Sequence, residues 1–247
     1  MRYQWRLILD PPLPGKANME KDLEIMDQVS CGECPPTLRI YRWSPPALSL
    51  GYFQDDRQVV NIDACKKRGI DVIRRPTGGR AILHCDELTY SIVVPEAHPF
   101  INKGGVIDAY LAISRGLVTA FNLLDIVASV VPENEVRPGL SPGSCFDTPS
   151  AYEIKIDGKK VVGSAQLRRD GIVLQHGAIL FRLPENLYNG VLKPANHKGE
   201  GKFKLSDRAS GLHDLGYNIS YETMTRALVK AFSMVVPAVF SSQHRRL

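Results

Sequence analysis

Apolar residues between positions 17 and 29 recur three and four apart, at Met19, Leu23 and Met26, and predict an amphipathic helix. A short apolar run at 6–9 precedes it and reads as a strand, cut off by Asp10-Pro11-Pro12. After a loop at 31–36, residues 37–43 and 47–53 read as strands separated by Ser44-Pro45-Pro46. A short helix at 61–68 ends at Gly69, and 71–74 is a strand. Pro76-Thr77-Gly78-Gly79 is a turn that feeds strands at 80–84 and 88–94. Residues 106–124 form the longest predicted helix, 126–131 a returning strand, and 137–149 a loop rich in Pro, Gly and Ser. The sharpest local signal follows. Asp157-Gly158 and Asp170-Gly171 are favoured hairpin pairs, so 152–156, 160–168 and 172–181 form a three-stranded meander. Beyond Pro184 the chain is polar and irregular to about Tyr217, and 223–235 is a final amphipathic helix. Strands and helices mix without regular βαβ alternation. The expected class is α+β, with mixed and antiparallel sheets flanked by helices.

Composition narrows the class. Hydrophobic residues make up 44% and charged residues 23%, as in ordinary globular proteins. No run reaches the roughly 18 apolar residues of a membrane span. The N-terminus turns charged and proline-rich after Leu9, unlike a signal peptide. Five cysteines, odd in number and irregular in spacing, argue against a disulfide framework and for a reducing, cytoplasmic setting. Cys31-Gly-Glu-Cys34 is half a zinc site without a second pair, so no metal is expected. The net charge of +5 is dispersed. Lys66-Lys67-Arg68 and Lys159-Lys160 are too short for a nucleic-acid stripe, whereas a mild positive balance suits an acidic protein partner.

Three stretches compete for the chemistry. Gly139-Leu140-Ser141-Pro142-Gly143 matches a nucleophile-elbow pattern, but prolines on both sides exclude the strand-turn-helix that the motif needs. Arg74 to His84 carries a glycine pair after a strand. Its amides suit an anion or a carbonyl oxygen; a plain hairpin turn with solvated arginines is the other reading. Cys145 lies in a polar loop just before the meander. A lone cysteine is commonly a small buried hydrophobe; as a thiolate it needs a cation, and Lys160 is the nearest candidate. Strand alternation puts Lys160, Val162, Ser164 and Gln166 on one face, which reads as a polar pocket wall.

Together these pieces resemble the biotin/lipoate protein ligase superfamily, and within it the LipM-type octanoyltransferases of lipoate assembly. Asn18-Met19-Glu20-Lys21-Asp22 is similar to its early helix motif, and Ala47-Leu48-Ser49-Leu50-Gly51-Tyr52-Phe53-Gln54 to its next strand. Arg74-Arg75-Pro76-Thr77-Gly78-Gly79, with His84 beyond, resembles the acyl-binding signature. Lys160-Val161-Val162-Gly163-Ser164-Ala165-Gln166 resembles the segment of the active-site lysine, and Gln175-His176-Gly177 the strand after it. The resemblance runs from about Trp5 to Gly190 and implies one catalytic domain over residues 1–247. It implies Cys145 and Lys160 as catalytic residues. It implies Arg75, Thr77, Gly78, Gly79, His84, Gly163, Ser164, Ala165, His176 and Gly177 as the substrate-binding set, with no cofactor.

Ligases of the superfamily carry an Asn-Asp pair where this chain reads Cys145-Phe146-Asp147, and many add a C-terminal accessory domain. Here the stretch after Gly190 is short. The implied reaction is octanoyl transfer from acyl carrier protein, through a Cys145 thioester, to a lysine of the glycine-cleavage H protein or of 2-oxoacid dehydrogenase lipoyl domains. The alternatives are an ATP-dependent lipoate-protein ligase without its accessory domain, and a non-catalytic acyl-binding protein.

Overall fold

In a computed structural model, the residues described are 3–101, 105–131, 153–193, 204–236 and 238–242. Strand β6 (Glu87–Pro95) and strand β10 (Ile172–Leu180) are buried almost from end to end. Such strands need cover on both faces. They form the centre of an eight-stranded sheet, pairing antiparallel with His176 opposite Ser91.

On one side of this pair lie β2 (Thr37–Tyr41), β1 (Tyr3–Leu9) and the edge strand β11 (Ala238–Ser242). On the other lie β9 (Lys159–Arg169), β8 (Ile154–Ile156) and β7 (Ser129–Val130). The expected meander is present. Its turns place Asp157, Gly158, Asp170 and Gly171 at positive φ, as two-residue hairpins require.

A second sheet has the order β4 (Asp71–Arg74), β3 (Ala47–Leu50), β5 (Ile82–His84). Helices α2 (Asp56–Val59) and α3 (Ile62–Lys67) connect β3 to β4. Asn61 caps α3 by accepting the Ala64 amide at 3.1 Å.

Alternation along β10 divides the layers. Val173 and Ile179 face the main core, under α4 (Val106–Asn122) and α6 (Tyr221–Val235), which contribute Ile113, Phe121, Leu228 and Phe232. Ile172 and Leu174 face α1 (Gly15–Ser30), against Ile25 and Met26. Ala178 and Leu180 face the small sheet and α5 (Glu185–Val191), against Leu48, Leu83 and Tyr188.

Several elements differ from the sequence reading. The strand expected at 47–53 stops at Leu50, because Gly51 begins a turn closed by the Gln54 amide donating to its carbonyl. The strand at 126–131 shortens to Ser129–Val130. Helices α2 and α5 and strand β11 were not expected. No helix among the described residues is long and apolar enough to cross a membrane.

Candidate active site

The α1 face of β9 and β10 carries small residues, Gly163, Ala165 and Ala178, where the small sheet arches over it. Small side chains leave space, and a narrow cavity forms there. Met19, Tyr41, Trp43 and Ile82 supply apolar walls; Ser49, Arg75, His84, Thr89 and His176 supply polar ones. Its lining, mostly apolar with a few fixed polar groups, is chemically suited to an aliphatic group.

Of the expected binding residues, Arg75, His84, Gly163, Ala165, His176 and Gly177 line the cavity. Ser164 does not. Its Oγ lies 2.7 Å from the Tyr90 hydroxyl, on the α4/α6 side. The face formed by Val162, Ser164 and Gln166 is therefore not this cavity's wall. Alternation did not group Lys160 correctly: a β-bulge sets Val162 opposite Ile154 but Lys160 opposite Lys155, so Lys160 lies on the other face of β9, the one that meets the small sheet. The Ser164–Tyr90 pair also explains Gly177. A Cβ there would lie 2.6 Å from Ser164 Oγ and 2.7 Å from the Gly163 carbonyl oxygen.

The Gly78–Gly79 pair does not line the cavity; it packs against the turn after β3 and is held by Arg75, which does. Gly79 has φ +89°, open to glycine at little cost. Its carbonyl oxygen would lie 1.9 Å from a Cβ on Gly51, so the turn after β3 and the Gly78–Gly79 loop touch through backbone alone. Arg74 is drawn to that same turn, donating to the carbonyls of Gly51, Tyr52 and Gln54. The buried Arg75 points inward. It donates to the carbonyls of Ser49, Gly78 and Arg80 at 3.1, 2.7 and 2.8 Å. Arg75 thus holds the loop as well as lining the cavity.

Two buried histidines flank Arg75. His176 contacts Thr77 Oγ1 through Nε2 at 2.7 Å and Asp22 through Nδ1 at 3.1 Å. His84 contacts Ser49 Oγ through Nε2 at 2.8 Å and Glu87 through Nδ1 at 2.5 Å, and stacks on Trp43. Asp22 is fully buried and also accepts from Arg39 at 2.8 Å and the Tyr41 hydroxyl at 3.0 Å. Burial opposes its charge, but the His176 hydrogen bond and the Arg39 cation outweigh burial and hold the carboxyl below its usual range. Burial holds His176 below the ordinary histidine range despite Asp22, so the ring is neutral near pH 7. Asp22, Ser49 and Glu87 were not among the expected site residues. Their signal in the sequence is slight: polar groups inside otherwise apolar elements.

Lys160 is buried at the start of β9, and its Nζ lies 2.6 Å from the buried Glu153 carboxylate. Its backbone is clamped by Arg208 and Ser210. Gly163 on the cavity wall is three residues on, about 10 Å along an extended strand. Cys145 and the Gly139–Gly143 pattern lie outside the described residues. Among the described cysteines, burial and then the Glu87 charge push the Cys85 thiol up to about 12, and burial also raises Cys34 and Cys65. Among the described residues, no group of three or more His, Cys, Asp or Glu side chains is placed to hold a metal ion.

Comparison with known proteins shows the fold and the family. The lipoate-protein ligase A structure bound with ATP superposes with a TM-score of 0.76 at 24% identity, covering all of this chain and 90% of that one. The bipartite lipoate protein ligase of Thermoplasma acidophilum gives 0.72 at 24% identity over 99% and 88%. These likenesses establish the fold. Octanoyltransferase LipM of Kyrpidia tusciae is 42% identical over 241 residues, 95% of this chain and 88% of that protein. Its counterpart in Geobacillus kaustophilus is 39% identical over 92% of this chain and 84% of that protein. The profile of the lipoyl protein ligase A/B catalytic domain matches residues 14–233, and the chain belongs to that family.

Proposed function

We propose that this enzyme transfers an octanoyl group from acyl carrier protein to a specific lysine of the glycine-cleavage H protein or of lipoyl domains. One observation carries the reading. A mostly apolar cavity is lined by Arg75, His84 and His176, in a chain 42% identical to an octanoyltransferase LipM. A protein of the same fold forms an archaeal lipoylation system with its E2 lipoyl domain, which supports the acceptor class.

The chemistry proceeds in two steps. The Cys145 thiolate attacks the thioester carbonyl of the octanoyl donor, and the carrier's thiol leaves. The acceptor's ε-amine then attacks the Cys145 thioester, forming the amide and releasing the enzyme thiol. Covalent catalysis divides one encounter between two large carriers into two separate ones. Lys160 favours the thiolate by its charge. The small residues Gly163, Ala165 and Ala178 make room for the alkyl chain. The net charge of +5 steers acidic carrier domains. The cytoplasm, where thiols stay reduced, is the compartment this nucleophile requires.

The deciding experiment supplies octanoyl-acyl carrier protein and an apo-acceptor domain without ATP or magnesium. Octanoylated acceptor and an acyl-enzyme adduct, seen by intact mass, are expected. Product formed only from free octanoate with ATP would overturn the transferase reading in favour of a ligase.

A further inference from the structure

The two histidine contacts converge on Arg75, and their directions follow from the partners at each end. Each imidazole faces a carboxylate at Nδ1 and a hydroxyl at Nε2. A carboxylate only accepts, so Nδ1 carries the proton. On a neutral ring Nε2 then accepts, and Thr77 and Ser49 donate to it. The hydroxyl oxygens keep lone pairs, and Arg75 donates to both: Nε to Thr77 at 3.1 Å and an Nη to Ser49 at 3.3 Å. Arginine has donors only, so the Arg75 end of each relay always donates, and with a neutral ring each relay runs one way. One runs Arg75, Thr77, His176, Asp22; the other runs Arg75, Ser49, His84, Glu87. The far ends are fixed as well. Thr89 accepts from the Trp43 indole at 2.8 Å, so its own proton goes to Glu87 at 2.7 Å. Arg39 and Tyr41 anchor Asp22.

We propose that Asp22 and Glu87 are positioning residues for the acyl site: through His176 and His84 they fix the direction of both relays, and so hold Arg75 and the 77–80 loop in the arrangement that shapes the cavity. The two acids come from α1 and from the start of β6. Without its acid, a ring is free to move its proton to Nε2. The ring then competes with Arg75 for the hydroxyl oxygen, and the hydroxyl proton loses its acceptor. Arg75 is left with altered partners, although its carbonyl contacts to Gly78 and Arg80 remain. Burial leaves water little access to repair the defect. The consequence falls on how the acyl donor is held.

The inference deepens the octanoyl-transfer reading and rests on it for its kinetic arm. The test is imidazole nitrogen NMR on the full chain near pH 7.5, with His84→Gln and His176→Gln used for assignment. Protonated Nδ1 and unprotonated Nε2 are expected for both rings. Glu87→Leu removes an acceptor, whereas Glu87→Gln keeps one. Glu87→Leu should release the His84 tautomer and raise the KM for octanoyl-acyl carrier protein about tenfold; Glu87→Gln should recover to within about threefold of wild type. An Nε2-protonated ring in the wild type, or Glu87→Leu with wild-type KM and kcat, overturns the proposal. If the wild-type protein transfers no octanoyl group, the activity reading falls, while the tautomer spectra, which need no turnover, still decide the relays.

Discussion

The Lys160 ammonium lies 2.6 Å from the Glu153 carboxylate, and both side chains are buried. Removing one member of such a pair strands the other charge, at a cost of about 3–5 kcal/mol. Lys160→Ala should therefore lower the melting temperature and also raise the pKa of Cys145. The measurement is iodoacetamide alkylation of Cys145 against pH, beside a thermal melt. Lys160→Arg keeps the charge but alters its shape, and should restore thiolate formation in part. An unchanged alkylation profile in Lys160→Ala would refute the pairing of Lys160 with Cys145.

Gly177 offers a test of the cavity floor. An added methyl meets Ser164 Oγ at 2.6 Å, the Gly163 carbonyl at 2.7 Å and the Tyr90 ring at 2.8 Å. Backbone of a central strand yields little, so Gly177→Ala should destabilise by about 1–3 kcal/mol. Denaturant melts measure this. Adding Ser164→Ala removes one of the three clashes and should return part of the loss. A neutral Gly177→Ala would contradict the close packing described for β9, β10 and Tyr90.

Stability should also depend on pH through the Asp22–His176 pair. Burial holds His176 below the unfolded value near 6.5. Below that pH the unfolded chain binds the proton first. The stability from keeping this ring neutral is thus complete above about 6.5, and is lost as the pH falls from there through the folded value. Asp22, held below 3.8 despite its burial, contributes stability above that pH that is lost at still lower pH. Urea melts at pH 7.5, 6.0 and 5.0 should show stability falling with pH, and His176→Gln should flatten that fall. Equal slopes in wild type and variant would reject the assignment to His176.

What the sequence revealed divides along physical lines. The Asp157-Gly158 and Asp170-Gly171 turns are local, and both hairpins form where expected. The early, middle and final helices also appear, from Gly15, Val106 and Tyr221. Strand β11 was not legible, because its parallel pairing with β1 joins residues more than 230 positions apart. The cavity side of β9 was not legible either. Strict alternation put Lys160 on the Ser164 face, but a bulge breaks it between Lys160 and Val162; beyond the bulge β9 is buried against layers on both sides, and polarity misled. Ser164 and Gln166 are polar because Tyr90 and Gln175 meet them, not because they face a ligand. Asp22 appeared in the sequence only as part of a helix motif. Its partners Arg39, Tyr41 and His176 come from two strands that no local pattern brings together.

Cys145 is the only cysteine that the proposed reaction needs, and the four described cysteines sharpen that prediction. Cys65 is buried, and desolvation raises its thiol pKa. Burial raises Cys34 as well. Cys85 adjoins the acyl-binding signature and is the natural rival, yet burial and the Glu87 charge push it up to about 12. A thiol held there is almost wholly protonated at neutral pH, and the neutral thiol is a poor nucleophile. Cys31 is exposed, at the end of α1, and its neighbours at Glu20, Glu24 and Asp27 form an open acidic surface rather than a cation-rich one. The check is five single Cys→Ser variants, assayed for an octanoyl adduct by intact mass and for transfer to a lipoyl domain. Only Cys145→Ser should lose both activities, or hold the acyl group as a slow ester. The wild-type adduct should be released by hydroxylamine at neutral pH, as a thioester is. If Cys145→Ser turns over normally, or if Cys85→Ser loses the adduct while Cys145→Ser keeps it, the covalent step belongs to another residue, and the roles of Lys160 and Glu153 would have to be reassigned with it.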